Sequence, residues 1–81
     1  MKLPRSASGR QVIAALERSF GYCVVHREGS HVTLQTDSPE RHRITVPDHK
    51  ALRVGTLNAI LRAVAKAQGV GKQELIRKLF A

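Results

Sequence analysis

An α+β fold, a three-stranded antiparallel sheet with helices packed on one of its faces, is predicted from three observations. Apolar residues recur at helical spacing near both ends of the chain, short β-branched runs occupy the middle, and Gly, Pro, Ser and Asp punctuate the boundaries. Strands flanked by helices in this order favour a layered α+β arrangement over an alternating one. The expected order is helix, three strands, helix and a short last helix, with no internal repeat or low-complexity tract.

Residues 1–7 mix Pro4, Ser6 and charges without periodicity and are expected to form a mobile leader, leaving 8–81 as a single domain. Ser8 caps the first helix, and Gln11 three positions on completes a capping box in which each side chain satisfies the other residue's free backbone amide. Val12, Ile13, Leu16 and Phe20 then share one helical face, and Gly21 ends the helix. Tyr22 to Arg27 reads as a strand, Glu28 and Gly29 as a turn, and Ser30 to Thr36 as a second strand. Asp37, Ser38 and Pro39 form a loop before a third strand, Arg41 to Val46, which Pro47 closes by removing a backbone donor. A second helix opens at Gly55 and Thr56, with Thr56 as cap and Leu57, Ile60, Leu61, Val64 and Ala65 as its apolar stripe. After Gly69 and Gly71, Leu75, Ile76 and Leu79 mark a third helix.

Fourteen Lys plus Arg against six Asp plus Glu leave a formal charge of +8 on 81 residues. An imbalance of that size points to a polyanion, and nucleic acid is a better match than a membrane surface because the amphipathic stretches lack the Trp and Phe that anchor interfacial helices. No apolar run is long enough to span a bilayer, and no apolar export signal stands near Met1. Cys23 is the only cysteine, which excludes an internal disulfide and a cysteine zinc site, so a reducing cytoplasm is expected.

Alternation places Val32 and Leu34 on the core side of the second strand and His31, Thr33 and Gln35 on the open side; in the third, Ile44 and Val46 face the core and Arg43 and Thr45 face out. A bulge at Gly29 would shift this assignment by one residue. Of the four histidines, His42 reads as an ordinary surface side chain. His31 stands apart, because it follows Gly29 and Ser30, a turn that lets a phosphate approach and offers a backbone amide and a hydroxyl beside the ring. The stretch Arg41 to Arg53 is dense in basic residues with Asp48 as its one acid, and reads as a surface that tracks phosphates without reading sequence. Only Phe20, Tyr22 and Phe80 are aromatic, too few for base stacking. The histidines lack paired ligand spacing, so neither a metal nor another cofactor is expected.

In these segments the chain resembles the HicA family of messenger RNA interferases. The resemblance is carried by Gly21-Tyr22 at the end of a helix, Gly29-Ser30-His31 at the start of a strand, Thr45-Val46-Pro47, His49-Lys50, and Gly55-Thr56-Leu57 followed by Ile60-Leu61. It extends over about Ser8 to Phe80. Two positions depart from the pattern: Val32 stands where relatives often carry a second histidine, and His26 where many carry an arginine. The resemblance implies a fold like the double-stranded RNA-binding domain, cleavage of messenger RNA without a metal, and His31 as the catalytic residue. It further implies an antitoxin of the HicB type covering the active face, with a free monomer joining it in a hetero-oligomer.

The chemistry expected is attack of the RNA 2′-hydroxyl on the neighbouring phosphate. An imidazole ordinarily titrates near pH ~6.5, and a positioned proton transfer is worth about 10²–10⁴-fold in rate. Arg27, Gly29, Ser30, Arg43, His49, Lys50 and Arg53 are the expected RNA contacts, with Lys50, Arg43 and the Ser30 hydroxyl as candidates to stabilise the charged phosphate. His26 and His49 are candidates for a second proton carrier, although each reads first as a structural side chain or a contact to the phosphate backbone. The rival readings are a catalytically silent RNA-binding module on the same fold and a DNA-binding accessory protein, for which neither late helix offers a clear recognition face.

Overall fold

The structure is a computed structural model and describes residues 7–80. Residues 1–6 of the expected leader lie outside the described residues. Ala7, also assigned to that leader, is instead buried, and its carbonyl accepts the Leu52 amide at 2.9 Å. The elements are α1 (Gly9–Phe20), β1 (Cys23–Glu28), β2 (His31–Thr36), β3 (His42–Pro47), α2 (Val54–Gln68) and α3 (Lys72–Phe80). The α+β class and the order of elements match the expectation.

The capping box forms as the sequence requires: Gln11 N donates to Ser8 Oγ at 3.1 Å, and Ser8 N donates to Gln11 Oε1 at 2.8 Å. With the start of α1 so held, Val12, Ile13 and Leu16 turn inward and are buried, each contributing about 1.5–3 kcal/mol. The helix entrance meets the end of β3 at Gly9. A Cβ there would fall on the Pro47 carbonyl oxygen and 2.8 Å from Asp48 Cα, so the close approach of the two backbones depends on a residue with no side chain.

The strands lie in the order β1-β2-β3, all antiparallel, with β2 central. Only Gly29 and Ser30 separate β1 from β2, one residue later than the expected Glu28-Gly29 turn, so Glu28 pairs with His31. In β2 and β3, Val32, Leu34 and Val46 are buried, and Ile44 packs on the same core. In β1 the register slips between Val24 and His26, leaving Val25 as the extra residue of a bulge. The irregularity thus lies within β1 and not at Gly29, and the alternation read for β2 and β3 stands. All of β1 is exposed, Val24 and Val25 by 42% and 47%, as befits a bent edge strand.

The helices cover one face of the sheet. Both α1 and α2 contact β3, while α3 packs on α1 and α2, burying Leu75, Ile76 and Leu79 there. The apolar stripe expected for α2 is buried in full, but the helix begins earlier than Thr56: Arg53 is the cap residue, Leu57 N bonds its carbonyl at 2.9 Å, and no side chain caps the helix. Leu52, buried just ahead, anchors the chain at that point and so sets the register of the first turn.

Two polar groups are held inside the fold. Thr36 Oγ1 donates to the Phe20 carbonyl at 3.3 Å. Tyr22, one residue before β1 rather than in it, is buried with its hydroxyl 2.8 Å from His42 Nδ1, the rings meeting edge to face at 5.9 Å. His42 is therefore a half-buried structural residue and not the surface side chain expected. Burial raises the Tyr22 pKa above its ordinary value, against a weaker opposing effect of a hydrogen bond with Gln68.

Two outcomes follow for stability. Gly9→Ala gains at most about 1 kcal/mol of helix propensity but forces a methyl into backbone, and is expected to lose about 1–3 kcal/mol net, read as a lower urea midpoint. An unfolded tyrosine ionises near pH about 10 and the folded Tyr22 only above that, so its contribution is intact below about pH 10 and lost as pH rises further. The urea midpoint of the wild-type protein should therefore fall more steeply between about pH 9.5 and 11 than that of Tyr22→Phe.

Candidate active site

The face of the sheet turned away from the helices presents its side chains in three rungs across the strands. Nearest the β1–β2 turn are Glu28, His31 and Pro47; next come His26, Thr33 and Thr45; then Cys23, Gln35 and Arg43. His31, the first residue of β2, is exposed, as alternation against the buried Val32 and Leu34 demands. Thr33 Oγ1 and Thr45 Oγ1 share a hydrogen bond of 3.1 Å in the middle of the face. Gly29 adopts a φ of +59°, which the two-residue turn requires, and nothing lies within 4 Å of where its side chain would be.

The loop between β3 and α2 is stitched to this turn. Asp48 N donates to the Ser30 carbonyl at 2.6 Å, the Ser30 hydroxyl lies 3.3 Å from His49 Nε2, and Arg27 Nη1 contacts the Asp48 carboxylate at 3.3 Å. The Arg27 side of this pair is open to solvent while Asp48 is largely covered, so the pair is worth about 1 kcal/mol and matters more for placing the loop than for stability. On its other side the loop is tied to the start of α1, where Gly9 N donates to the His49 carbonyl at 2.9 Å. Ser8, Arg10, Asp48, His49 and Lys50 line a groove at this junction. Arg10 and Lys50 make no ion pair among the described residues, so the groove is cationic apart from Asp48, whose charge Arg27 already meets.

Of the expected contacts, the fold thus brings Arg27, Gly29, Ser30, His31, His49 and Lys50 to one end of the sheet. Arg53 stands exposed at the far end of the same loop, as the cap residue of α2. Arg43 is not beside His31: it pairs with Gln35, four residues or about 13 Å of strand away, and its Nε donates to Gln35 Oε1 at 2.6 Å. Expected as a stabiliser of the phosphate that His31 attends, it stands too far along the strand to share one phosphate group with His31.

Sequence reasoning passed over Arg10, Asp48 and Glu28. The position of Glu28 opposite His31 was readable in principle, since a turn centred on Gly29-Ser30 dictates that pair. Arg10 reaches the groove only because α1 and the β3–α2 loop meet in space.

Cys23 is a free, exposed thiol, and among the described residues no three His, Cys, Asp or Glu side chains cluster as metal ligands would. No helix among the described residues is long and apolar enough to cross a membrane. The arrangement offers an exposed imidazole on the open face and, at the same end of the sheet, the Ser30 hydroxyl in contact with the His49 ring and a groove holding Arg10 and Lys50, groups of the kind that bind a phosphodiester and move protons at it.

No curated protein and no solved structure matches the chain. The family model described as the HicA toxin of bacterial toxin-antitoxin systems matches residues 9–65, more than half of the chain, a stretch that contains the whole sheet, the His31 turn and the β3–α2 loop. The chain accordingly belongs to the HicA toxin family.

Proposed function

We propose that this toxin is an endoribonuclease that cuts messenger RNA, and thereby arrests translation and growth, using the substrate's own 2′-hydroxyl as nucleophile and no metal. The observation that carries the reading is His31 itself: an exposed imidazole directly after a hairpin turn whose Ser30 hydroxyl meets His49 of the cationic β3–α2 loop, in a chain of this toxin family. His31 exchanges a proton with the reacting ribose phosphate, and Lys50 and the Ser30 hydroxyl stabilise the charge that grows on the phosphate oxygens. Arg27, Gly29, Arg43, His49 and Arg53 hold the strand by its backbone. The toxin acts in the bacterial cytoplasm, is a monomer when free, and is silenced by a HicB-type antitoxin seated over the open face.

Purified protein is expected to cut single-stranded RNA in the presence of a chelator. His31→Ala should remove that activity, by at least about 10²-fold, while its circular dichroism and urea midpoint stay those of the wild type. Binding without scission by the wild-type protein would return the chain to the silent RNA-binding reading.

The electrostatic part has its own check. In the uncleaving His31→Ala background, Lys50→Ala and Arg53→Ala should each weaken binding to single-stranded RNA. Each should also reduce the slope of log affinity against log salt by about 0.7, the share of one phosphate contact. An unchanged slope takes that residue off the RNA path.

A further inference from the structure

Chain alternation alone sends Val24 inward, Val25 outward, His26 inward and Arg27 outward. The bulge at Val25 reverses the second half of β1, so His26 pairs with Thr33 on the open face and Arg27 pairs with Val32 on the other. His26 is thereby a diagonal neighbour of His31, since the residue directly opposite His31 is Glu28 and His26 lies two positions before it. Diagonal neighbours across an antiparallel pair stand about 7–8 Å apart, within reach of two imidazoles that share one small group between them. His26 Nε2 is 3.9 Å from the Glu28 carboxylate, which supplies the counter-charge when His26 carries its proton.

We propose that His26 is the second proton carrier of the reaction, the general acid for the leaving group, with His31 as the base. This rests on the ribonuclease reading above. His31 takes the proton of the 2′-hydroxyl as the 2′-oxygen forms its bond to phosphorus. The bond from phosphorus to the 5′-oxygen breaks, and protonated His26 gives its proton to that oxygen. The products are a 2′,3′-cyclic phosphate and a free 5′-hydroxyl, and exchange with water restores the two imidazoles. The titratable or charged groups on this face or at its edges are Cys23, His26 and Glu28 from β1, His31 from β2, Asp37 beside Gln35, Arg43 from β3, held at the far rung by Gln35, and His49 of the β3–α2 loop beside Ser30. The helices pack on the opposite face and add none. Both side chains of the His26–Glu28 pair are well exposed, so replacing His26 leaves the core untouched.

The test compares wild type, His26→Gln and His31→Ala on ordinary RNA and on RNA whose scissile 5′-oxygen is replaced by sulfur, a leaving group that needs no proton. The wild-type rate should rise with pH as the base sheds its proton and fall again as the acid loses its own. His26→Gln should lose about 10²–10³-fold on ordinary RNA, lose the falling limb, and recover to near the wild-type rate on the sulfur substrate, while His31→Ala stays inactive on both. An active wild type with His26→Gln cutting at the wild-type rate, or cutting slowly with both limbs intact and no recovery on sulfur, overturns the role of His26 alone. A wild type that cuts neither substrate overturns the ribonuclease reading, and this one with it.

Discussion

The interaction on which the rest of the molecule depends is the burial of Val32, Leu34 and Val46 beneath α1 and α2, with the reverse of the sheet left bare. Sliding the β2 register by a single residue would bring these side chains into water, at about 1.5–3 kcal/mol each, and drive His31 and Thr33 inward. That penalty is large against the whole stability of so short a chain. The outward stance of His31 is thus enforced by its aliphatic neighbours and needs no partner of its own. The same constraint leaves the loop after β3 free to be shaped by local contacts, and it is clamped between the hairpin turn and the entrance of α1.

Much of this was legible beforehand because it is written in local patterns. The capping box at Ser8 and Gln11, the stripe of α2, and the alternation of β2 and β3 each depend on spacings of two to four residues, which propensity and periodicity register directly. Features that depend on tertiary meetings were not. Nothing in Val24-Val25-His26 marks Val25 as the extra residue, because two consecutive valines suit a regular strand equally well. The bond of Tyr22 to His42 joins residues twenty apart, so His42 passed for a surface group. The start of α2 followed the burial of Leu52 in preference to the hydroxyl of Thr56, a case of packing overriding a capping preference. Within the candidate site, His31 and its loop partners were readable from the motif, whereas the remoteness of Arg43 emerged only from the pairing register.

Charge completes the picture. The acids are few, and the pairs they form, Arg41–Asp37, Glu74–Lys78 and His26–Glu28, have much of their surface in water, as does the Arg27 side of Arg27–Asp48. Such pairs add little to stability, and they leave most of the cations unmatched. The fold therefore carries a net positive field of the kind that draws a polyanion toward it before contact is made.

The extra residue in β1 has a second consequence. This strand borders the sheet with every side chain exposed, the kind of margin along which identical molecules can zip together into aggregates. Where Val25 interrupts the ladder, the backbone donors and acceptors fall out of step with those of any straight strand laid alongside. A second copy could follow the margin for only a few residues before losing its hydrogen bonds, so the kink that redirects one histidine also discourages the toxin from polymerising with itself.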